Sequence, residues 1–290
     1  MKRTDYPSVT IEHLYIGSIV TIFSRNLTVS DYADDFTRGR LEKTTEKTVV
    51  WAAVAAVGPT MAAIFGNGLK VNQMKTVVLA PDQAQELGKP SVAGVKSVVM
   101  EVVGADAVAR WSDVVAQTGL PSPGSSSASE AATEMNAIFG SSFPCYAACE
   151  SCSLAVILPH AVAEGKAGAM IEEIGQAAQI NCVQMFTLGS ANAAEFYEVY
   201  KGVVPEYAKK VVELTAGPCI AIEVVGDNVV PTLREVAGPH DPDISRVIRP
   251  NTLRARYGTD KVQNGLHVTD LPEDGQLEVE YFFNLLARNV

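Results

Sequence analysis

The sequence SVVMEVVGADAVARWSDVV at residues 97–115 returns as CIAIEVVGDNVVPTLREVA at residues 219–237. In both copies an apolar run, typical of a buried strand, ends in Glu-Val-Val-Gly, and a segment with helical spacing of its apolar residues follows. A second pair of segments, TVVWAAVAAVG from residue 48 and SLAVILPHAVAEG from residue 153, gives each half the same opening strand and turn. The chain therefore contains an internal repeat, and we expect two tandem copies of one α+β domain.

The second half shows the pattern of its elements more fully than the first. Its predicted strands cover residues 153–158, 182–188, 219–225 and 266–268. Its predicted helices cover residues 166–178, a segment opened by the capping-box pattern Asn192-Ala-Ala-Glu195, and residues 205–215, 228–237 and 275–287, with a long polar loop at 238–264. This order suits a ferredoxin-like sandwich with an antiparallel sheet.

The remaining segments suggest how the chain is divided. Residues 1–45 form a lead-in, in which two short apolar runs flank Ser24-Arg25-Asn26 and predict a β-hairpin. We expect a first ferredoxin-like domain at residues 46–142 and a second at 150–290. The Pro/Gly/Ser-rich sequence LPSPGSSSAS at 120–129 is typical of a loop, and a helix at 130–139 would close the first domain.

Composition excludes several classes of protein. The chain has 290 residues, 47% of them hydrophobic, and a net charge of −10. An acidic chain is a poor general binder of nucleic acid or anionic lipid, so we expect neither as a partner. Residues 48–69 carry no charge, but Gly58-Pro59 interrupts them, and a strand, a turn and a buried helix explain them better than a membrane span.

Five cysteines raise the question of a metal site. Cys145, Cys149 and Cys152 lie close together, but zinc sites usually present two pairs of ligands. The distant partners would be Cys182 or Cys219, which lie in apolar, strand-like runs. We therefore expect reduced thiols, no metal site and an intracellular, cytoplasmic chain.

The polar segment RPNTLRARYGTDKVQNGLHVTDLPEDGQLE at residues 249–278 is the candidate for chemistry. Phosphoryl transfer to histidine needs a neutral imidazole with a free lone pair and a carboxylate that orients the other nitrogen. His267 and Glu278 could supply both. On the alternative interpretation, His267 is a hydrogen-bonded strand histidine and the arginines face solvent.

A transferring phosphoryl group also needs cationic donors in fixed geometry, which suits the arginine fork. The candidates are Arg234, Arg249, Arg254 and Arg256. Nearby, Asn264 could bond a ribose hydroxyl, and an aromatic such as Tyr207 could stack on a base.

The motif Asn264-Gly-Leu-His267, followed by Thr269-Asp270, resembles the active-site motif of nucleoside diphosphate kinases, and the likeness extends from residue 153 to the end of the chain. The segments EFYEVYKGVVPEY, from residue 195, and LPEDGQLEVEYFF, from residue 271, resemble the ciliary nucleoside diphosphate kinase 7 group in particular. In that group tandem kinase domains follow a small pleckstrin-like module, and residues 2–37 resemble the end of that module.

The resemblance implies a role for each matching residue. His267 is expected to be the phosphohistidine nucleophile, with Glu278 orienting it and Tyr197 supporting it. The implied ligand is a nucleoside di- or triphosphate, with Mg²⁺ on its phosphates if the site is active.

Four further positions are expected to hold the nucleotide itself. The resemblance implies that Asn264 meets the ribose, that Arg234 and Arg254 hold phosphates, and that Tyr207 occupies the position of the base-stacking aromatic.

Departures from the family pattern weaken the expected activity. The lysine at the end of the first strand of the domain is Leu158 here, and the phosphate-contacting threonine is His240. In the first copy, Ala53 stands at the lysine position and Ser112 at the position of Arg234, and no histidine strand follows. We expect no catalysis in the first copy and weak or absent kinase activity in the second.

Three functions remain open on the sequence alone. The resemblance implies a structural component of ciliary or flagellar axonemal doublet microtubules, with tubulin and other axonemal proteins as partners. The alternative is an active kinase that transfers the γ-phosphate through phospho-His267. Between them lies a protein that binds a nucleotide without turning it over.

Overall fold

The helices and strands are described by a computed structural model over residues 6, 9–23, 25–41, 45–141 and 143–287. The strands are β1 Ile19–Ile22, β2 Arg25–Thr28, β3 Glu46–Ala53, β4 Lys70–Val77, β5 Ser97–Gly104, β6 Cys152–Ile157, β7 Gln179–Phe186, β8 Cys219–Val225 and β9 Leu266–Val268. The helices of the first half are α1 Asp35–Leu41, α2 Val57–Gly66, α3 Pro81–Glu86, α4 Ala107–Thr118 and α5 Ala128–Phe139. Those of the second half are α6 Pro159–Ala163, α7 Ala167–Ala177, α8 Ser190–Phe196, α9 Tyr207–Leu214, α10 Val229–Ala237, α11 Pro242–Ile248, α12 Leu253–Tyr257 and α13 Gly275–Glu280, which continues as a π-helical turn at Tyr281–Leu286.

The internal repeat extends to the backbone conformation. In each half the Glu-Val-Val-Gly strand, β5 or β8, turns into a helix, α4 or α10, through a residue in the left-handed region. That residue is Asp106, at φ 51°, in the first half and Asn228, at φ 53°, in the second. Aspartate and asparagine tolerate this conformation better than most residues, so the same turn forms from two different sequences.

The sheet confirms the α+β prediction and adds a feature that the sequence did not indicate. Seven strands form one antiparallel sheet in the order β3-β5-β4-β7-β8-β6-β9. The two halves meet where β4 pairs with β7, with Lys75 opposite Gln184. Beside this pair, the Thr76 hydroxyl accepts from the Val183 N–H at 2.8 Å and donates to the Val183 carbonyl at 2.9 Å. Pairing the two edges protects strands that would otherwise expose unpaired backbone groups. The two halves share a sheet. Whether residues 46–142 and 150–290 are independent domains therefore stays a prediction, as does the lead-in at 1–45.

A β-bulge occurs at matching places in the two halves. The extra residue is Asn72 in β4 and Asn181 in β7. Next to each bulge lies the buried glutamate of the Glu-Val-Val-Gly motif: Glu101 forms an ion pair with Lys47 at 2.6 Å, and Glu223 accepts from Asn181 Nδ2 at 2.5 Å. Both buried carboxylates therefore have partners, as a buried charge requires.

The predicted hairpin in the lead-in is confirmed. β1 and β2 pair with Ile19 opposite Thr28 and Ile22 opposite Arg25, although residue 24 lies outside the described part of the chain. An isolated two-stranded hairpin is marginal, and contacts with the rest of the molecule support this one. The Tyr15 hydroxyl donates to Asn72 Oδ1 at 2.9 Å, and Asn26 Nδ2 donates to the Leu188 carbonyl at 3.4 Å.

Two predictions about the second half are wrong in detail. The segment at 238–264 is not one loop, because it contains α11 and α12; the Asp241 carboxylate caps α11 by accepting the Asp243 N–H, and Pro242 begins the helix. Helix α8 begins at Ser190, so Asn192 lies inside the helix and is not its cap. The first error arose because the polar composition of residues 238–264 concealed two short helices, and the second because Asn192-Ala-Ala-Glu195 matches a capping box inside a helix.

Helices α2 and α7 join the two halves across one face of the sheet, and glycines lie at their contact. A Cβ on Gly58 would lie 2.7 Å from the backbone nitrogen of Glu172, and one on Gly168 would lie 2.4 Å from that of Ala62. Each glycine thus faces the residue four positions beyond the other glycine, which is the reciprocity of a two-fold contact. Only a residue without a side chain allows the backbones to approach this closely.

The core is continuous across this junction. One buried cluster includes Met61 of α2, Met170 of α7 and apolar strand residues from both halves. The opposite face of the second half carries a separate cluster rich in aromatic side chains, among them Phe186, Tyr197 and Phe282. In the described part of the chain no helix is long and apolar enough to span a membrane.

The Gly168→Ala substitution is predicted to destabilise the whole chain. Overpacking of a tight contact costs about 1–3 kcal/mol, and here the clash is with backbone atoms that cannot rotate away. The matched control is Gly66→Ala in α2, where a Cβ would meet no atom within 4 Å and where alanine favours a helix. Thermal unfolding should show a lower Tm for Gly168→Ala and an unchanged or higher Tm for Gly66→Ala. Equal Tm values for Gly168→Ala and the wild type would contradict a tight helix contact.

Candidate functional site

Strand β9 places His267 at the edge of the sheet. His267 lies opposite Val156 of β6, on the face that carries the aromatic cluster. Its side chain is 8% exposed, and its ring lies edge-on to Phe196 and Tyr197 at centroid distances of 5.0 and 6.0 Å. The ring is therefore held in place by packing on one side and the sheet on the other.

Glu278 fixes the orientation of this histidine. His267 Nε2 lies 3.0 Å from Glu278 Oε2, which also accepts the Thr269 hydroxyl at 2.8 Å. Helix α13 can bring Glu278 so close because Gly275 lacks a side chain: a Cβ there would lie 2.2 Å from the Cys152 carbonyl oxygen. The hydrogen bond assigns the proton to Nε2 and leaves the Nδ1 lone pair for another partner.

A cleft of about 900 Å³ opens beside His267. Six other candidate site residues from the sequence also line it: Tyr197, Arg234, His240, Arg249, Arg254 and Asn264. A larger cavity, of about 1650 Å³, lies along β4 and β7 and contains none of the predicted site residues. The smaller cleft is the candidate site, since the reactive and cationic side chains converge there.

Arg254 is a buried cation at the floor of the cleft. Its Nη1 donates to the Gly238 carbonyl at 2.8 Å, and its Nε and Nη2 donate to the Leu266 carbonyl at 3.4 and 3.3 Å. Burial lowers the pKa of Arg254, but a guanidinium remains protonated at neutral pH. The side chain thus ties the loop at 238 to β9 and keeps N–H groups for an anion.

Arg234 lies on α10 at the rim and already has a carboxylate partner. Its Nη1 contacts Asp270 Oδ1 at 2.5 Å and the Asp270 carbonyl at 2.8 Å. The other carboxylate oxygen, Oδ2, accepts the Tyr200 hydroxyl at 2.6 Å. About half of each charged side chain is exposed, so the pair is held together only weakly and an anionic ligand could compete with Asp270.

Asn264 has an unusual hydrogen-bond balance. The residue is 1% exposed, its Nδ2 donates to the His240 carbonyl at 3.1 Å, and its Oδ1 is buried without a partner among the described residues. An unpaired buried acceptor costs roughly 1–3 kcal/mol. A ligand hydroxyl that donates to this oxygen would remove the penalty.

The segment that carries Asn264 is braced from behind by His160. The Gly265 N–H donates to His160 Nε2 at 3.3 Å, and His160 Nδ1 donates to Glu213 at 2.7 Å. Gln263 Nε2 donates to the other oxygen of the same carboxylate at 3.0 Å. Burial alone would raise the pKa of Glu213, but the hydrogen bonds from His160 and Gln263 outweigh it, and the net pKa lies below its usual range. None of the sequence patterns had pointed to this network.

Leu158 and Tyr207 do not line the cleft. Leu158 is 2% exposed and lies in the apolar cluster with Tyr197 and Leu214. Tyr207 packs against the same cluster, and its hydroxyl donates to the Ala194 carbonyl at 3.2 Å. This placement gives no support to a base-stacking role for Tyr207; the residue beside it, Glu206, lines the cleft instead.

Lys210 is a cleft residue that the sequence analysis missed. It is 8% exposed and lines the same space as Arg254 and His267. Its position could have been found from helical spacing. Tyr207, Val211 and Leu214 form the apolar stripe of α9, and Lys210 lies on the same face of the helix.

The first half retains part of the same framework. The Ser125 hydroxyl donates to Glu134 at 2.7 Å, and the Ser125 N–H donates to the Val49 carbonyl, which reproduces the contacts of Thr269 with Glu278 and Leu154 in the second half. Val50 is bridged to Gly124, which places Pro123 opposite Trp51 where β9 would place the histidine.

Lys89 takes the place of a histidine as the partner of the buried glutamate in the first half. Its Nζ lies 3.0 Å from Glu134 and 2.9 Å from Glu130. Ala53 ends β3 and Ser112 lies on α4, as the repeat predicted. The carboxylate of Glu134 is therefore paired with an internal cation, and among the described residues no imidazole contacts it.

Comparisons with known proteins identify relatives of the second half and of the whole chain. The family described as Nucleoside diphosphate kinase matches residues 151–287. A crystal structure of the nucleoside diphosphate kinase from Aquifex aeolicus is 32% identical, with a TM-score of 0.44, over 47% of this chain and 97% of that chain.

Two relatives match nearly the whole chain. The proteins named Nucleoside diphosphate kinase homolog 7 from Rattus norvegicus and Mus musculus are 37% and 38% identical to it, over 99% of this chain and 83% of each relative. The match extends through both halves and the lead-in, so this chain belongs to the nucleoside diphosphate kinase homolog 7 family.

Proposed function

We propose that this chain is a structural protein of ciliary and flagellar axonemal doublet microtubules, in which the second half binds a nucleoside di- or triphosphate without efficient phosphoryl transfer. The observation that carries the proposal is the state of the first half. It keeps the sheet, the helix contact and the Ser125–Glu134 pair, but Pro123 stands where a nucleophile would be. A fold kept without its nucleophile is what selection for shape would leave.

Four features of the cleft support nucleotide binding by the second half. Asn264 offers a buried acceptor that has no partner among the described residues, which suits a ribose hydroxyl. Arg254 and Arg234 offer guanidinium groups, which suit phosphate oxygens. His267 keeps its Nδ1 lone pair beside them.

Magnesium would accompany the phosphates of a bound nucleotide. In the described part of the chain, no group of three or more His, Cys, Asp or Glu side chains is placed to hold a metal ion. Mg²⁺ keeps several waters and binds through phosphates in such sites, so the ligand would supply most of its coordination. Its chemical contribution would be to neutralise charge on the phosphate oxygens.

The substitution at Leu158 supports weak turnover. The side chain lies in an apolar cluster, so it gives no positive charge to a transferring phosphoryl group. Loss of one charge-assisted contact that strengthens in the transition state costs a few kcal/mol, or roughly a hundredfold or more in rate. Binding depends on more contacts and would survive this loss better than catalysis.

An active kinase is the second candidate, and one specific observation favours it. His267 Nε2 is bonded to Glu278, so Nδ1 is free to attack a γ-phosphorus. In that reaction the N–P bond forms as the bond from the γ-phosphorus to the bridging oxygen breaks and a nucleoside diphosphate leaves. A second diphosphate then takes the phosphoryl group back from Nδ1.

Exposed apolar side chains support a scaffold role. Val199, Val203 and Val247 are 74%, 77% and 81% exposed, and they project from the segments on either side of the cleft. Because the chain carries a net charge of −10, attachment to acidic tubulin would need local apolar or basic contacts of this kind. We expect tubulin and other axonemal proteins as partners.

Phosphoryl exchange is predicted to be weak in the wild type and to rise in the Leu158→Lys variant. The measurement is γ-phosphate transfer from ATP to a second nucleoside diphosphate, together with acid-labile labelling of the protein. His267→Ala in the Leu158→Lys background should abolish both signals. Wild-type turnover that matches Leu158→Lys and disappears in His267→Ala would establish the active kinase instead.

Incorporation into axonemes is predicted to be independent of His267. A tagged full-length chain expressed in ciliated cells should remain with the doublet microtubules after detergent and salt extraction, and His267→Ala should remain equally. A tagged single-domain nucleoside diphosphate kinase serves as the control for trapping. If the tagged chain extracts as completely as this control, the structural role is wrong.

A further inference from the structure

Lys210 is a charged residue on the buried face of helix α9. It lies on α9 within the stripe formed by Tyr207, Val211 and Leu214, which packs toward the aromatic cluster. Yet the residue lines the cleft and is 8% exposed. Lys210 therefore enters the candidate site from the helix face whose other residues pack against the core.

The ammonium group of Lys210 contacts an aromatic ring but no carboxylate in the described part of the chain. It forms no ion pair with a carboxylate in the part of the chain that the structure describes. Its Nζ lies 5.8 Å from the centroid of the Tyr197 ring, which offsets only part of the loss of solvation. A buried cation without an anion is costly, so a cleft that retains one is suited to an anionic ligand.

The charged groups that act on Lys210 are Arg254, Glu206 and Asp270. Arg254 is on α12 and donates to carbonyl oxygens, while the Asp270 carboxylate is bonded to Arg234 and Tyr200. The carboxylate of Glu206, at the start of α9, attracts the Lys210 ammonium group, and the only hydrogen bond between these two residues in the described part of the chain joins their backbones.

The pKa of Lys210 differs from the pKa values of its neighbours. Burial, followed by the charge of Arg254, lowers the pKa of Lys210 to about 8, with Glu206 and Asp270 opposing the shift. The ring of His240 is in the cleft although the residue as a whole is exposed. Desolvation there, with Lys210 and Arg254, lowers its pKa to about 4, so it adds no charge at neutral pH. Burial raises the pKa of Tyr197 above its usual value, so its hydroxyl carries no charge at neutral pH.

We propose that Lys210 binds a phosphate group of the nucleotide, beside Arg254 and next to the Tyr197 ring that packs against His267. This inference rests on the proposed nucleotide binding and names the residue that replaces the missing cation. Leu158 and Lys210 both contact the surroundings of Tyr197, one from the end of β6 and the other from α9. The chain has therefore supplied a cation to the cleft from a helix after losing the one expected at a strand end.

Phosphate binding by Lys210 has a pH dependence with a definite sign. Below pH 8 the free protein carries the ammonium ion, and an anion binds without a change in protonation. Above pH 8 the free protein has lost that proton and must regain it on binding, so affinity falls as pH rises. The phosphates of ADP are largely ionised from pH 7 upward, since the second pKa of a phosphate group is about 6, so their own titration adds little to this dependence.

The affinity of the full-length chain for ADP tests the proposal by calorimetry at pH 7 and pH 9.5. Lys210→Met keeps the length and apolar stem of the side chain, and it should weaken binding at pH 7 by about tenfold or more, as expected for loss of a hydrogen bond to a charged group. The matched control is Lys209→Met, because Lys209 is the adjacent lysine and is exposed. Wild-type affinity should fall between the two pH values, while Lys210→Met should show little change.

A third variant separates charge from packing. Lys210→Arg restores a cation that stays protonated at pH 9.5, so it should bind ADP without the loss of affinity at high pH. If Lys210→Met binds ADP as tightly as the wild type does, the role of Lys210 is wrong while nucleotide binding stands.

A failure of nucleotide binding would be distinguished by a second ligand. If the wild type does not bind ADP at millimolar concentration, the proposed nucleotide function fails. Inorganic tripolyphosphate would then decide about Lys210: a thermal shift in the wild type that is lost in Lys210→Met supports a phosphate site, and no shift in the wild type overturns it.

Discussion

The close contact between α2 and α7, together with the pairing of β4 with β7, is the constraint on which the rest of the molecule depends. Gly58 and Gly168 allow two backbones to approach to distances that no Cβ would permit. The contact places the two halves so that their edge strands meet and a seven-stranded sheet closes without an exposed edge at its centre. One chain thereby makes, within itself, a two-fold contact of the kind that symmetric dimers make between subunits.

This arrangement explains how one half can lose its site and still be retained. The buried framework of each half consists of the same strand pairing, the same bulge at an asparagine and the same hydroxyl-to-glutamate hydrogen bond. Removal of Glu134 would leave Lys89 without a buried partner, so the contribution of Glu134 to stability is enough to explain why it is retained. The position of the nucleophile makes no such contribution, and Pro123 is found there without disturbing the bridge between Val50 and Gly124.

The second half shows a different balance, because its cleft remains polar. Glu278 orients His267, the His160–Glu213 pair braces the segment of Asn264, and Arg254 ties the floor of the cleft to β9. These contacts are internal, so they persist without a ligand. By contrast, in the described part of the chain the Asn264 Oδ1 atom has no hydrogen-bond partner, and the Lys210 ammonium group contacts the Tyr197 ring but no carboxylate. Such groups cost stability, and they mark the places where a ligand would contribute most.

The sequence by itself determined the repeat, the α+β class and the motif around His267, because these depend on residue type and short-range periodicity. It did not indicate that the two copies share one sheet, since a glycine in a helix gives no sign of what lies against it. It also placed Tyr207 in the cleft and overlooked Lys210, because both residues lie on one face of α9 and only the packing of that face decides which of them reaches the site. Tertiary structure alone paired Ser125 with Glu134 of α5 and placed Pro123 opposite Trp51 of β3, because these contacts join a loop to a helix and to a strand, and no local pattern connects their residues.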